Sequence, residues 1–329
     1  MKKVCSFLLF LSCLLVSGIG SAQSSPRTIK LVVPFAAGGQ MDVMARIIAD
    51  SLGKTMPANV VVENLAGAGG VIAARKVLNS PADGLTLFEG SPSQLVLAGL
   101  VNKDNAINSA DFTPVHMIGT SPYVVFARTD LPANNADELA ELARESARKG
   151  TPLTYASVGV GTLNHVLGEE LSRRIGAPMV HVPYKGGAEV VRDLVGGRVD
   201  LLLNIYTAQQ VAMAQEGRLK FIAALSPKRQ ELLPQVPSID ESNSLKGFYA
   251  SIWMGLFVKA GTPAPIVSQL NQAIAQVLAN EDVRESLLEH TATRAAKPET
   301  SMDLVSAEYA MGVKQFQDLA ESAGVAKSN

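Results

Sequence analysis

Short β-branched runs alternate with amphipathic stretches through most of this 329-residue chain, and this alternation restricts its possible folds most. A strand-like run at 28–33 precedes apolar residues at helical spacing between 41 and 52. The pattern repeats at 59–63 with 71–78, and again before the strand-like run 85–88. Such βαβ succession predicts an α/β fold with mostly parallel sheets covered by helices.

The same alternation resumes after a polar segment at 131–135, which indicates a second lobe. Strand-like runs at 153–156, 179–183, 199–203 and 219–225 are separated by helical patterns. Two runs before that segment, 115–119 and 123–127, are expected to be edge strands. A final helical pattern between 298 and 327 is expected to return to the first lobe.

The N-terminus has the pattern of a secretory signal peptide. Lys2 and Lys3 precede an apolar run at 4–16 and a small-residue stretch that ends at Ala22, the expected cleavage site. An uncleaved membrane anchor is the alternative, but spanning a bilayer takes ~20 apolar residues. Lipidation on Cys13 is disfavoured because no lipidation box surrounds it. We therefore predict a periplasmic, released product.

Charge and cysteine content exclude several functional classes. Without Lys2 and Lys3 the chain has 27 basic against 30 acidic residues, a formal charge of −3, so nucleic acid is not an expected partner. Cys5 and Cys13 both lie in the predicted signal peptide, so the mature chain would have neither a disulfide nor a thiol nucleophile.

Three glycine-rich turns, 34–39, 67–70 and 157–162, stand where a strand-like run gives way to a helix. Glycine permits close backbone approach, and a helix N-terminus offers unpaired N–H groups and a positive dipole end. Two such turns that face one cleft would hold a dicarboxylate without a lysine or arginine clamp. The alternative is that these glycines only satisfy the turn geometry.

Spacing argues against the common catalytic and cofactor motifs. The turn at 157–162 lacks the third glycine of a dinucleotide site, and no Gly-Lys-Ser/Thr completes a phosphate loop. The four histidines are scattered, and Ser157 is not in a G-x-S-x-G elbow. We therefore expect no cofactor, no metal and no enzyme activity. His165 is interpreted as a structural or cleft-lining histidine.

Longer motifs give the chain a specific resemblance. They are Pro34-Phe35-Ala36-Ala37-Gly38-Gly39, Gly67-Ala68-Gly69-Gly70, Asp83-Gly84-Leu85-Thr86, Gly159-Val160-Gly161-Thr162, His181-Val182-Pro183-Tyr184-Lys185-Gly186-Gly187, Gly197-Arg198-Val199-Asp200 and Trp253-Met254-Gly255. Taken in this order, they resemble the Bug family, the substrate receptors of tripartite tricarboxylate transporters. The resemblance covers essentially the whole predicted mature chain.

The resemblance implies a two-lobed type II periplasmic-binding-protein fold with two crossings between the lobes. Lobe one would comprise 23–124 and the C-terminal helices of 249–329, lobe two 125–248, and the signal peptide 1–22. It implies a monomeric receptor that closes around a small carboxylate, either a di- or tricarboxylate or an aromatic acid, and delivers it to the transporter's membrane components. A receptor for a sensor kinase, or a periplasmic enzyme with His165 or Asp42 as base, are the alternatives.

The resemblance also implies a set of ligand contacts. They are Phe35, Ala37, Gly38, Gly39, Asp42, Ser91 and Ser93 from lobe one, and Ser157, Gly161, Thr162, His165, Tyr184, Gly186 and Asn204 from lobe two. Asp42 has a second interpretation, as a helix-start residue that complements the dipole. Met41 and Asn204 depart from the family pattern, in which a small hydroxyl residue and an aspartate are common. We expect these departures to favour a less cationic, more apolar ligand than an amino acid.

Overall fold

The computed structural model describes residues 27–101 and 107–325. The predicted signal peptide, with its cleavage after Ala22, lies outside these residues and stays a prediction. None of the helices in the described ranges is long and apolar enough to cross a membrane.

The first lobe is built on a six-stranded sheet with the order β11-β4-β10-β3-β1-β2. Its strands are β1 (Arg27–Val33), β2 (Ala58–Asn64), β3 (Thr86–Gly90), β4 (Phe112–Pro122), β10 (Ser251–Lys259) and β11 (Arg294–Ala295). The helices of this lobe are α1 (Gln40–Thr55), α2 (Val71–Leu78), α3 (Ala98–Val101), α8 (Ala264–Ala279), α9 (Glu281–Thr291) and α10 (Met302–Ser322).

The second lobe is built on a five-stranded sheet with the order β7-β6-β8-β5-β9. Its strands are β5 (Val124–Ala127), β6 (Thr154–Ser157), β7 (Val180–Pro183), β8 (Leu201–Asn204) and β9 (Lys220–Ala224). Its helices are α4 (Ala136–Arg148), α5 (Leu163–Ile175), α6 (Gly187–Val195) and α7 (Ala208–Gln215).

The predicted fold class is confirmed, but both sheets are mixed. In the first sheet β10 runs antiparallel to β3 and β4, and β11 runs antiparallel to β4. In the second, β5 runs antiparallel to β8 and β9, while β6 is parallel to β7 and β8. Both β5 and β10 enter their sheets from the other lobe. Such strands are not joined to a neighbour by a βα crossover, so nothing imposes the parallel direction on them.

The expectation of two edge strands before the second lobe is wrong. Strand β5 lies between β8 and β9, and β4 lies between β10 and the two-residue β11. All four residues of β5 are buried. A short, wholly apolar run fits a central strand as well as an edge strand, because periodicity alone does not report how many neighbours a strand has.

Two chain crossings join the lobes and are hydrogen-bonded to each other. Only Tyr123 separates β4 from β5, and residues 225–250 lead from β9 back to β10. Tyr123 N–H donates to the Ala250 carbonyl (2.9 Å), and Leu225 N–H donates to the Tyr123 carbonyl (2.8 Å). The two crossings thus form one short bonded bridge beside the interlobe cleft.

The C-terminal helix packs on the first lobe. Trp253 of β10 stacks edge-on against Phe316 of α10, with ring centroids 6.4 Å apart, and against Tyr309, at 5.7 Å. Gly312 lies against the Trp253 indole, where a Cβ would come within 2.5 Å of Nε1. Sequence pattern predicted this helix at 298–327, and the structure places it at Met302–Ser322.

Candidate binding site

A cleft of about 500 Å³ lies between the lobes. From the first lobe and the crossings, its lining includes residues 35–41, Ser91, Ser93, Tyr123, Ile252 and Met254. From the second lobe it includes Val158, Asn164, Gly187, Ala188, Val191, Arg192, Val195, Asn204, Ile205, Thr207, Gln209, Gln210, Met213 and Arg218. About half of these residues have apolar side chains, and the others are glycines or offer polar groups, a mixture that suits a small-molecule site.

The wall from the first lobe is the glycine turn that leads into α1. Gly39 is the N-cap of this helix and makes no side-chain capping bond. Gly38 has φ +81°, a left-handed conformation that glycine adopts without steric cost. The turn therefore presents the positive N-terminus of α1, with its unpaired N–H groups, to the cleft.

Asp42 supports this turn from behind. Its carboxylate accepts from Gly38 N–H (2.8 Å) and forms an ion pair with Arg46 (2.9 Å). Burial disfavours the charged carboxylate, but hydrogen bonds from Arg46, Gly38 and Asn64 outweigh it and lower the pKa of Asp42. Asp42 is buried and not part of the cleft lining, which fits its second interpretation as a helix-start residue.

The wall from the second lobe presents two more helix N-termini. Gly186 is the N-cap of α6 and makes no side-chain capping bond, and Gly187 and Ala188 line the cleft. Helix α7 begins differently, because Thr207 and Gln210 form a capping box there. The open N-terminus of α6 thus faces the same cleft as that of α1.

The two residues that depart from the family pattern both line the cleft. Met41 is 6% exposed and adds an apolar surface to the wall formed by α1. Asn204, at the end of β8, accepts a hydrogen bond from the Asn164 side chain (3.0 Å). Neither residue carries a charge.

The third glycine turn, 157–162, packs against the first lobe and does not open into the cleft. Val158 is the one residue of this turn that lines the cleft. Leu163 N–H, the first of α5, donates to Ser93 Oγ across the lobes (3.1 Å). Thr162 is fully buried, and its hydroxyl donates to the Gly159 carbonyl (2.7 Å). A Cβ on Gly161 would lie 3.1 Å from Ala98 Cα of the first lobe.

The second glycine turn is the partner of the third. A Cβ on Gly69 would lie 3.3 Å from the Val160 carbonyl oxygen, and one on Gly159 would lie 3.3 Å from Gly69 N. Glycine at these positions lets the backbones of the two lobes approach closely. Turn 67–70 is therefore part of the contact between the lobes.

Behind the third turn lies a cluster of two stacked histidines. His165 and His181 have ring centroids 4.2 Å apart, and His181 Nε2 is hydrogen-bonded to Ser157 Oγ (2.6 Å). Gly161 N–H donates to His165 Nδ1 (3.3 Å), and Tyr155 donates to Glu169 beside them. Burial, and secondly the neighbouring His165, lower the pKa of His181 to about 4. Burial also lowers the pKa of His165, and the two stacked rings support the turn from behind.

The predicted site residues therefore fall into two groups. The cleft brings together Phe35, Ala37, Gly38, Gly39, Ser91, Ser93 and Asn204. Asp42, Ser157, Gly161, Thr162, His165, Tyr184 and Gly186 lie outside the cleft lining, next to it or at the contact between the lobes. The hydroxyl of Tyr184, for instance, donates to Asp193 (3.1 Å).

The sequence analysis missed two arginines, Arg192 of α6 and Arg218 just before β9, that line the cleft. The sequence led us to expect that two glycine turns would hold a dicarboxylate without a lysine or arginine clamp, whereas the cleft lining does include these two arginines. No local motif marks these residues, because they lie 26 positions apart and only the fold brings them to one wall. The Gly186-Gly187 pair at the start of α6 was a usable signal for the helix terminus, since it resembles the Gly38-Gly39 pair before α1.

Comparison with known proteins gives a consistent family. The sequence profile of the family described as "Tripartite tricarboxylate transporter family receptor" matches residues 44–306. The periplasmic binding protein BugD is 32% identical, with a TM-score of 0.82 over 92% of this chain and 99% of that one.

Two further solved structures carry ligands. MatC from Rhodopseudomonas palustris, solved with bound malate, is 30% identical with a TM-score of 0.79, over 89% of this chain and 98% of MatC. R. palustris Rpa4515, solved with adipate, is 30% identical with a TM-score of 0.82, over 91% of this chain and 98% of Rpa4515.

Proposed function

Because this chain belongs to the family of tripartite tricarboxylate transporter receptors, the Bug family, we propose that it captures a small carboxylate and delivers it to the transporter's membrane components. The family consists of periplasmic solute-binding receptors, and the proposal adds the ligand class and the delivery step. Delivery to a sensor kinase is the second candidate, and the same cleft would serve it.

One observation carries the ligand class. The N-termini of α1 and α6, neither capped by a side chain, face one cleft from opposite lobes. Among the described residues that line this cleft, the charged ones are two arginines. Helix N-termini and guanidinium groups both favour anions, and a carboxylate accepts hydrogen bonds from either. The cleft therefore favours a carboxylate over an amine or a cation.

Part of the remaining lining offers an apolar surface to the body of that carboxylate. Met41, Val191 and Val195 contribute to the wall, and the neutral Asn204 stands where the family often has an aspartate. A ligand with an ammonium group would find no acidic side chain among the described lining residues. The relatives solved with malate and with adipate hold dicarboxylates. We infer a di- or tricarboxylate or an aromatic acid, in preference to aspartate or glutamate.

We propose that capture proceeds by closure of two lobes, 23–124 with 249–329 and 125–248, about the bonded crossings at Tyr123, Leu225 and Ala250. We infer that the bond between Leu163 and Ser93 and the close approach of Gly69 to Gly159 form when the lobes close. Opening the cleft would separate these groups, so their formation favours the liganded state.

The alternative of an enzyme with His165 or Asp42 as base is less well supported. Asp42 is held by Gly38 and Arg46, and His165 is stacked on His181, so both are engaged behind the cleft wall. A general base must lie within hydrogen-bond reach of its substrate. Neither residue is part of the cleft lining.

The test is binding of carboxylates to purified residues 23–329, refolded from denaturant to remove any ligand carried from the host. The thermal midpoint is measured against mono-, di- and tricarboxylates, aromatic acids, aspartate and glutamate. Ligand at a thousandfold its Kd adds about 4 kcal/mol to the free energy of unfolding. A shift with aspartate or glutamate as large as with any simple carboxylate would contradict the preference against amino acids.

A paired variant places the binding site. Gly187 has open space around it, so Gly187→Ala and Gly187→Asp both fit, and an acidic residue suits the start of a helix. In Gly187→Asp the new carboxylate would occupy the anion-binding position at the N-terminus of α6. It should weaken the binding of a carboxylate ligand at least roughly tenfold, which is about 1.4 kcal/mol. The alanine variant is the control and should bind as the wild type does. If Gly187→Ala and Gly187→Asp bind the carboxylate with equal affinity, the N-terminus of α6 is not part of the binding site.

A further inference from the structure

The charged residues of the cleft, Arg192 and Arg218, come from the same lobe and are not accounted for by capture of one carboxylate group. Helix α6 contributes both its N-terminus, at Gly187, and Arg192 to the lining. Five residues at 1.5 Å each separate them by roughly 7 Å along the helix axis. Two ligand groups, one bound at Gly187 and the other at Arg192, would therefore occupy distinct positions on one wall.

The surface between these two positions is apolar. Ala188 and Val191 lie between Gly187 and Arg192 in the lining, and Val195 continues the same helix face one turn on. Met213 of α7 lines the cleft as well. A carbon chain of a few methylene groups suits such a surface, while the polar side chains of Gln209 and Gln210 from α7 also line the cleft.

The acidic partners of Arg192 and Arg218 do not fully neutralise their positive charge. Arg192 Nε bonds Asp193 (3.1 Å), but that carboxylate also accepts from Arg198 (2.9 Å) and from the Tyr184 hydroxyl (3.1 Å). Two guanidinium groups thus share one carboxylate. Arg218 pairs with Glu216 at 3.3 Å, with both side chains more than half exposed, so solvent weakens that pair. Each guanidinium has five N–H donors, which leaves donors for a second anion.

We propose that Arg192 and Arg218 bind the second carboxylate of an α,ω-dicarboxylate whose first carboxylate is seated at the helix N-termini. This inference rests on the proposed function and narrows its ligand class to unbranched dicarboxylates with an apolar middle. The two arginines then determine specificity, because a monocarboxylate of the same length adds nothing to their existing partners, Asp193 and Glu216, and water.

The experiment compares dicarboxylates with monocarboxylates of equal length by isothermal titration calorimetry. The pairs are succinate with butanoate, adipate with hexanoate, and suberate with octanoate, each titrated into residues 23–329. We expect the wild type to bind the best dicarboxylate at least tenfold more tightly than its monocarboxylate. Arg192→Gln and Arg218→Gln should each weaken that dicarboxylate roughly five- to tenfold and leave the monocarboxylate within twofold.

Two controls separate specificity from folding. Arg148→Gln removes an exposed arginine of the same lobe outside the cleft and should leave both affinities unchanged. Arg192→Lys keeps the charge but loses the two-pronged geometry, and should recover part of the lost preference. The ligand-free thermal midpoints of all variants show whether each is folded.

The outcomes distinguish the two proposals. If the wild type binds carboxylates but shows no preference for a dicarboxylate at any length, this inference is wrong and carboxylate capture stands. The same holds if a variant with both Arg192→Gln and Arg218→Gln keeps the wild-type ratio of the two affinities. If no carboxylate in the panel binds at all, the proposed function itself is overturned.

Discussion

Ser93→Ala tests whether the interlobe bond contributes to ligand affinity. Ser93 Oγ accepts from Leu163 N–H at 3.1 Å, and both residues are buried, at 4% and 0% exposed. In an open cleft both groups are hydrated, so the bond matters only in the closed form. Without the hydroxyl, closure would bury an amide N–H that has lost its partner, at a cost of about 1–3 kcal/mol.

This cost appears as weaker binding, because ligand and closure are linked. Each 1.4 kcal/mol is a factor of ten, so Kd should rise roughly five- to hundredfold. Calorimetry with adipate and with a second carboxylate measures the change. If Ser93 acts only through the bond between the lobes, Kd should rise by the same factor for both ligands. If Ser93 contacts the ligand directly, the two factors should differ. At the same subsaturating ligand concentration, small-angle scattering should show a larger radius of gyration for Ser93→Ala than for the wild type.

Ser172→Ala is the matched control. Its hydroxyl donates to the Ala177 carbonyl within the second lobe (2.8 Å), so the substitution should lower stability without changing Kd. A Kd for Ser93→Ala within twofold of the wild type, with Ser172→Ala equally unaffected, would refute the argument that this bond stabilises closure.

Three further predictions concern stability and the support of the site. Gly168→Ala in α5 would place a Cβ 2.1 Å from the Tyr155 ring, so it should lower the free energy of unfolding, measured by urea titration, by about 3 kcal/mol or more. Gly53→Ala in α1 is the control: the nearest atom is 3.6 Å away, and the substitution should raise the free energy of unfolding by roughly 0.5–1 kcal/mol. Equal effects of the two substitutions would contradict the packing at Tyr155. His181, with its pKa lowered to about 4 from an ordinary 6.5, binds its proton more readily in the unfolded chain, so stability should fall on the order of 2 kcal/mol as pH drops from about 6.5 to 4. Urea titrations across that range should show a smaller fall for His181→Gln, and an unchanged fall would contradict the assignment. Asp42→Asn weakens the support of Gly38 N–H and should raise Kd for every carboxylate roughly tenfold in calorimetry; loss with one ligand alone would instead indicate direct contact.

Features that depend on residues close together in the chain were predictable from the sequence. Apolar residues between 41 and 52 predicted α1 correctly, since helical periodicity is a property of neighbouring residues. The turn at Gly38 and Gly39 was recognised for the same reason, because the strand, the glycine-rich turn 34–39 and the helix are consecutive in the chain. The family motifs are local strings of this kind, and they identified the fold class.

Contacts between distant residues were not accessible in this way. Ser93 and Leu163 are 70 positions apart, and Arg192 and Arg218 reach one wall from different elements. The sequence by itself determined the α/β elements, the family and the glycine turns, because each depends on adjacent residues. Only the tertiary structure decided which turns face the cleft and which charges line it, since burial and electrostatics depend on groups that the fold brings together from afar.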